Sequence, residues 1–242
     1  MKQILITAGL ILMGLLSCKQ NDPNTQQAGM FRGGQQQDLT RFEEEIKAFE
    51  EADKKSMPPA GAILFVGSSS IRMWPSLDSA FAPLPVIQRG FGGSTIPEVL
   101  HYADRIVWKY QPKVIVFYCG ENDIAEGTDH TVVFQNFKKF VGEMEKKLPD
   151  AQLVVLSAKP SPARWELWKQ FEKLNYMIQQ FASQRKNVLY LNIGPTLLDS
   201  SGNPDKTLFV EDMLHMNRQG YARWERVLKP ILLDLYQKAA VQ

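Results

Sequence analysis

The chain has 242 residues, of which 44% are hydrophobic and 22% charged, as in one ordinary globular domain with a well-filled core. Its 28 basic and 26 acidic side chains leave a formal net charge of +2. That balance gives no electrostatic reason to expect nucleic acid or an anionic membrane surface as a partner, so we expect a small one.

The first 17 residues have the pattern of a secretory signal peptide. One early charge, Lys2, precedes an apolar or small stretch from Ile4 to Leu16, which is shorter than the about 20 apolar residues of a membrane span. The run Gly14-Leu15-Leu16-Ser17-Cys18 resembles a bacterial lipoprotein processing box, in which cleavage leaves Cys18 as the lipidated N-terminus. A signal peptide with an incidental cysteine is the alternative. We expect an exported protein, either secreted or held at the cell envelope only through a lipid anchor on Cys18.

A polar segment separates this leader from the predicted domain. Residues 18–39 are rich in Gln, Asn, Gly and Asp and have almost no apolar periodicity, which predicts a flexible tether. Thr40 and Glu43 then have the spacing of a capping box, and apolar residues follow at helical spacing to about residue 55. The sequence therefore predicts a single catalytic domain over residues 40–242.

Within this domain, short apolar runs alternate with longer helical patterns. Predicted strands rich in Val, Ile and Leu lie at 62–66, 86–87, 114–118, 153–156 and 188–191. Predicted helices lie at 96–110, 132–148, 164–183 and 218–239. Such alternation predicts an α/β fold, a doubly wound parallel sheet with helices on both faces. Ligands of such sheets bind where the carboxyl ends of the strands meet the loops.

Three residues have the chemistry and order of a serine hydrolase triad. Ser69 follows the first predicted strand, and Asp212 and His215 lie three positions apart near the C-terminus. A serine hydroxyl is a weak nucleophile, so it needs a base within hydrogen-bond reach and a third group that orients this base. Three-residue spacing lets the carboxylate accept from one imidazole nitrogen while the other faces the serine. We expect Ser69 as nucleophile, His215 as base and Asp212 as its orienter.

Two further blocks offer donors for an oxyanion. The run Arg89-Gly90-Phe91-Gly92-Gly93-Ser94 follows the second predicted strand, and its missing side chains let the backbone N–H of Gly93 approach a ligand. Gly120-Glu121-Asn122-Asp123 follows the third strand and offers the side-chain amide of Asn122. The backbone N–H of Ser69 is the third expected donor.

Together these four blocks resemble the SGNH, or GDSL, hydrolase family over about residues 62–221. In that family the nucleophile follows a Gly-Asp pair, a glycine and a Gly-x-Asn-Asp motif supply oxyanion donors, and Asp-x-x-His closes the set. The resemblance implies a flavodoxin-like, three-layer fold with five parallel strands. It assigns the same roles to Ser69, Gly93, Asn122, Asp212 and His215.

The chain departs from the family pattern at two positions. Ser68 stands where the family usually has Asp, and Ser94 follows Gly93 where Asp is common. Neither change removes a catalytic atom, but Ser68, Ser69 and Ser70 are adjacent, and only the family register favours Ser69. The Gly-x-Ser-x-Gly elbow of the α/β-hydrolase fold is absent, because Ile71 occupies its last position.

The resemblance implies an ester or thioester substrate and no cofactor, and no histidine pair has metal-ligand spacing. We expect removal of acetyl or other short acyl groups from carbohydrate, so the expected partner is a small-molecule or glycan ester. A lysophospholipase or thioesterase type of acylhydrolase and a non-catalytic glycan-binding lipoprotein are the alternatives. The candidate substrate contacts are Arg72, Trp74, Arg164 and Trp165.

Overall fold

The computed structural model of the protein describes residues 31–32, 35–36 and 38–241. The predicted signal peptide over residues 1–17, the proposed lipidation site at Cys18 and most of the predicted tether over 18–39 lie outside the described residues. Within that tether segment, β1 (Phe31–Arg32) pairs antiparallel with β2 (Gln35–Gln36). None of the helices in the described part of the chain is long and apolar enough to cross a membrane.

Five parallel strands form the main sheet, which confirms the predicted fold class. They are β3 (Ile63–Gly67), β4 (Val86–Gly90), β5 (Val114–Tyr118), β6 (Gln152–Leu156) and β7 (Val188–Leu191). Their order across the sheet is β4-β3-β5-β6-β7, and every neighbouring pair is parallel. All residues of β3 and β5 are buried, as expected for central strands covered on both faces.

Helices cover both faces of this sheet. The long ones are α1 (Glu43–Lys55), α4 (Ile96–Ile106), α6 (His130–Lys147), α7 (Trp168–Ala182) and α8 (Arg218–Val241), and the short ones are α2 (Ser69–Arg72), α3 (Leu77–Phe81) and α5 (Glu121–Ala125). Successive strand residues point to opposite faces. In β3, Leu64 packs with α1, α4, α6 and α7, whereas Phe65 packs with α2, α3 and α8. The result is a three-layer sandwich with two hydrophobic cores.

The predicted capping box at the first helix is wrong. The Thr40 hydroxyl donates to Asp38 Oδ1 at 2.7 Å, and α1 begins only after Phe42, whose side chain makes no capping bond. The structure has a capping box at α4 instead, where Glu98 Oε2 accepts from the backbone N–H and the hydroxyl of Thr95. Burial explains the difference, because Thr95 and Glu98 are enclosed whereas Thr40 is exposed to competing water.

The strand order places a crevice at the carboxyl end of β3. From this central strand the chain moves first to the edge strand β4 and then back across to β5 on the other side. Loops leaving neighbouring strands in opposite directions open a gap at this switch point, where ligands of α/β sheets bind. The loops after β3, β4 and β5 carry Ser69, Gly93 and Asn122 to this gap.

Candidate active site

Ser69 is the first residue of α2, immediately after the turn that ends β3. Gly67 makes this turn with a φ of +140°, and a Cβ there would lie 1.9 Å from the carbonyl oxygen of Tyr118. Only glycine allows such a close approach to β5. Ser68, in extended conformation, then directs the chain into α2. The N–H of Ser69 has no acceptor one turn earlier in the helix and is available to a ligand.

A short segment at residues 210–217, which we call the histidine loop, holds the predicted acid and base. Asp212 Oδ1 accepts from the backbone N–H groups of Leu214 and His215, both at 2.9 Å. Asp212 Oδ2 lies 2.5 Å from His215 Nδ1, and His215 Nε2 lies 2.8 Å from Ser69 Oγ. The three side chains therefore form one continuous hydrogen-bonded chain.

The carboxylate of Asp212 is ionised at neutral pH. Partial burial raises the pKa of its carboxyl, but the hydrogen bonds from the His215 ring and from two backbone N–H groups outweigh burial and lower the pKa to about 2. An ionised carboxylate accepts a proton-bearing nitrogen, so it favours the imidazole tautomer with hydrogen on Nδ1. Nε2 is then the lone-pair nitrogen that faces the Ser69 hydroxyl.

The segments after β4 and β5 form what we call the amide wall, made of Gly93, Ser94 and Asn122. Asn122 Nδ2 donates to the carbonyl oxygen of Ser94 at 3.0 Å. Gly93 is exposed, and a Cβ built on it would lie 3.8 Å from Asn122 Nδ2. A side-chain amide carries two N–H groups, so Asn122 can donate to Ser94 and also toward a ligand.

Buried hydrogen bonds connect the amide wall to the strands. The Ser94 hydroxyl donates to the carbonyl oxygen of Gly67 at 3.2 Å. The carboxylate of Asp123 accepts from the backbone N–H of Ile96 at 3.2 Å. The loops after β3, β4 and β5 are thus joined to each other, which keeps Gly93 and Asn122 in place relative to Ser69.

Arg164 contacts the site through Asn122. This arginine lies in a 3₁₀ segment, Pro162–Leu167, and its Nη2 donates to Asn122 Oδ1 at 2.9 Å. The neighbouring backbone N–H of Ala163 donates to the carbonyl oxygen of Met213, in the histidine loop, at 3.0 Å. Of the predicted substrate contacts, Arg164 is therefore brought next to the candidate site, although its observed partner is a protein side chain.

A buried ion pair next to the amide wall was not predicted from the sequence. Lys159, after β6, places its Nζ 3.0 Å from Glu121 Oε2 and 3.2 Å from the hydroxyl of Tyr118. Burial raises the pKa of the Glu121 carboxyl, but the charges of Lys159 and Arg164 outweigh it and keep this pKa below its usual value. The available signal was a lysine three residues after an apolar strand, together with an acid next to Asn122.

The structure corrects the prediction for Trp74 and places Arg72 at a cavity beside α1. Trp74 is 2% exposed and belongs to the core beneath α8, where its indole N–H donates to Glu225 at 3.0 Å, so it cannot contact substrate. Arg72 is exposed but lines a cavity beside α1 with Phe49. Trp165, partly exposed, lies next to Arg164 and stacks on Trp168.

The chain belongs to the GDSL-like lipase/acylhydrolase family, whose model matches residues 65–223. This match includes all three residues of the Asp212–His215–Ser69 hydrogen-bonded chain and both segments of the amide wall. It confirms the resemblance predicted from the four sequence blocks and supports hydrolase activity. No curated protein matches the sequence.

Solved structures share the fold at low sequence identity. A protein from Streptococcus pneumoniae, named as a candidate platelet activating factor, is 20% identical with a TM-score of 0.71, over 80% of this chain and 94% of its own. A GDSL-like lipase from Bacteroides thetaiotaomicron is 18% identical with a TM-score of 0.69, over 81% and 99%. A carbohydrate esterase family 3 protein from Talaromyces cellulolyticus is 15% identical with a TM-score of 0.57, over 73% and 98%.

Proposed function

We propose that the protein is a serine esterase that acts through an acyl-enzyme intermediate on Ser69. The observation that carries this proposal is the unbroken hydrogen-bonded chain from Asp212 through His215 to Ser69 Oγ, with separations of 2.5 and 2.8 Å. The 2.8 Å between His215 Nε2 and Ser69 Oγ is within the range in which a base can take the hydroxyl proton during attack. The amide wall, which a Ser94–Gly67 hydrogen bond joins to the end of β3, would supply donors to the developing negative charge.

Each group has a defined part in the proposed reaction. Ser69 Oγ attacks the ester carbonyl carbon and passes its proton to His215 Nε2, while Asp212 stabilises the imidazolium. The carbonyl oxygen becomes an oxyanion, which accepts from the backbone N–H groups of Ser69 and Gly93 and from Asn122 Nδ2. His215 then donates its proton to the departing alcohol, and the acyl–Ser69 ester remains. A water molecule, deprotonated by His215, attacks this ester and releases the carboxylate and free Ser69.

The proposed substrates are carbohydrates that carry acetyl or other short acyl groups. Support comes from the exposure of the site, since Gly93 is exposed and His215 is partly exposed. An open site of this kind accommodates a bulky alcohol on a short acyl group. The fold shared with a protein named as a carbohydrate esterase is consistent with such a substrate.

Hydrolysis of p-nitrophenyl acetate tests the proposed chemistry. We expect turnover by the wild type, a loss of at least about 10³-fold in kcat for Ser69→Ala and for His215→Ala, and near wild-type turnover for the control Ser68→Ala. Full activity of Ser69→Ala would refute the nucleophile. Equal rates for wild type and His215→Ala would favour a non-catalytic binding protein, and a marked preference for p-nitrophenyl octanoate over acetate would favour a lipid-directed acylhydrolase.

Export and lipid anchoring through Cys18 form a separate part of the proposal, which rests on the sequence alone. The processing box places a small residue before Cys18 and follows an apolar stretch of signal-peptide length. Labelling with radioactive palmitate should mark the wild type and not Cys18→Ala. Equal labelling of both, or of neither, would contradict the anchor.

A further inference from the structure

A groove of about 560 Å³ lies beside the candidate active site and has no part in the reaction described above. The 3₁₀ segment that contains Pro162 and Trp165 forms one wall. Residues 199–207 form the other wall, with Asn203, Pro204 and Lys206 among the lining side chains. Its volume is typical of grooves that hold a small ligand, which are about 300 to 1,000 Å³.

Both walls of the groove are attached to the histidine loop. Between Pro162 and Trp165, the backbone N–H of Ala163 donates to the carbonyl oxygen of Met213 at 3.0 Å. On the other wall, Asn217, two residues after His215, donates from Nδ2 to the carbonyl oxygen of Thr207 at 2.8 Å. The groove therefore adjoins the acid–base side of the site.

The proposed reaction requires the alcohol part of the ester to lie on that side. His215 must reach the oxygen of the departing alcohol to protonate it, whereas the carbonyl oxygen must face Gly93 and Asn122. A groove attached to the segment that holds His215 is therefore placed to receive the alcohol and not the acyl chain.

The side chains of the groove have the chemistry that recognises sugars. Trp165 is partly exposed and stacks on Trp168, with ring centroids 5.6 Å apart and an interplanar angle of 19°. This stacking holds the Trp165 ring in one orientation, and a pyranose ring offers an apolar face to such a platform. The opposite wall places Asn203 and Lys206, both exposed, within reach of hydroxyl groups. An alkyl chain would make no hydrogen bonds with these polar groups.

We propose that this groove is a saccharide subsite that binds the alcohol part of the ester, with Trp165 as its stacking platform. This inference rests on the proposed esterase function and adds to it the place where the sugar binds. It predicts that Trp165 distinguishes a sugar ester from an ester whose alcohol is small or aromatic and does not extend into the groove.

The test compares kcat/KM for acetylated xylobiose with kcat/KM for p-nitrophenyl acetate. For Trp165→Ala we expect the ratio of the two values to fall about tenfold, mainly through KM for the disaccharide, which corresponds to about 1.4 kcal/mol of binding. Trp165→Phe should keep most of the ratio, since it keeps an aromatic face. The matched control is Tyr176→Ala, which removes an aromatic side chain 63% exposed on α7. A second variant, Asn203→Ala, should also lower the ratio, because it removes a hydrogen-bonding side chain from the opposite wall of the groove.

The possible outcomes distinguish failure of the proposed subsite from failure of the proposed esterase activity. If the wild type hydrolyses p-nitrophenyl acetate and Trp165→Ala leaves the ratio unchanged, the subsite is refuted and the esterase stands. An equal fall for both substrates, with a lowered unfolding temperature, would make Trp165 a structural residue and also refute the subsite. If the wild type hydrolyses neither ester, the esterase proposal fails. Calorimetry of xylotriose binding then tests the groove alone: binding by the wild type that is weakened in Trp165→Ala would support a saccharide site, and equal binding or none would refute it.

Discussion

The histidine loop contacts Ser69 directly, and the amide wall is joined to the strand end before Ser69, but the two regions are built in opposite ways. In the histidine loop the hydrogen bonds of Asp212 span two or three residues, and its side chain is 46% exposed. In the amide wall, Asn122 is 8% exposed and bonds Ser94, 28 residues away, and Arg164, 42 residues away. The carboxylate of Asp212 is thus held mainly by its own turn, whereas the amide of Asn122 is held by residues distant in sequence.

The difference fits what each region would do in the proposed reaction. A general base exchanges protons with water and substrate, so a partly exposed histidine held by a local carboxylate is suited to it. Donors to an oxyanion act through fixed orientation, because dipoles that are already aligned need no reorganisation during the reaction. Changes in the histidine loop should therefore affect the reaction more than stability, whereas changes in the amide wall should affect both.

Among the changes that compare these two regions, Asp212→Asn has the largest expected effect. The side-chain amide keeps an oxygen for the backbone N–H groups but loses the charge that fixes the His215 tautomer, so we expect kcat for p-nitrophenyl acetate to fall by about 10⁴-fold. The free energy of unfolding should change by less than about 1 kcal/mol, since the side chain of Asp212 is 46% exposed and solvent screens its interactions. Asp129→Asn is the matched control, an exposed carboxylate that also accepts a backbone N–H. A kcat within tenfold of wild type would contradict the role of Asp212.

Asn122→Ala should have the second largest effect and should change two quantities. Loss of one oxyanion donor lowers kcat by about 10²- to 10³-fold. Loss of the amide also leaves Arg164 and the Ser94 carbonyl without this partner, which costs about 1 to 3 kcal/mol of unfolding free energy. Steady-state kinetics and urea denaturation measure the two effects. A variant with wild-type stability and lowered kcat would show that the amide wall does not depend on its buried contacts.

Features marked by a local pattern or motif could be predicted from the sequence, whereas features that depend on residues distant in the chain could not. Strands over 114–118 and 188–191 were predicted with the bounds that the structure has, because unbroken apolar runs mark buried parallel strands. The second strand was predicted only over 86–87, although β4 continues through Gln88 and Arg89 to Gly90. Arg89 is compatible with a buried strand because Asp53, 36 residues away, pairs with it.

The same contrast between local patterns and distant partners explains which residues of the candidate site were predicted. Ser69, Asp212 and His215 were identified from spacing and from family blocks, and the structure brings them together. The short helices α2 and α5 have too few residues for a helical period to be visible. Trp74 looked accessible because nothing in its neighbourhood reveals that Glu225, 151 residues away, accepts its indole N–H.

Arg164→Gln should have a smaller effect than Asn122→Ala and tests whether the amide wall acts through orientation. The guanidinium fixes Asn122 Oδ1, so a neutral amide should weaken that contact and lower kcat about tenfold with little change in KM. Arg164→Lys should recover part of the loss. Arg185→Gln, which removes an arginine that packs on Phe181, controls for loss of a positive charge. In a double-mutant cycle with Asn122→Ala, the losses of kcat should not add. Full additivity would show that Arg164 does not act through Asn122.

The smallest expected effect is the pH dependence of stability from Asp212. Its pKa is lowered from 3.8 to about 2 in the folded protein, so the folded state favours the ionised form. Its contribution to stability is complete well above pH 3.8 and is lost as the pH falls toward 2. Because the side chain is 46% exposed, solvent screens the contribution and keeps it small. Urea denaturation of the wild type and Asp212→Asn should show an advantage for the wild type at pH 6 that shrinks between pH 4 and pH 2.5. A gap that stays constant over this interval would mean that the hydrogen bonds of the histidine loop do not depend on the charge of Asp212.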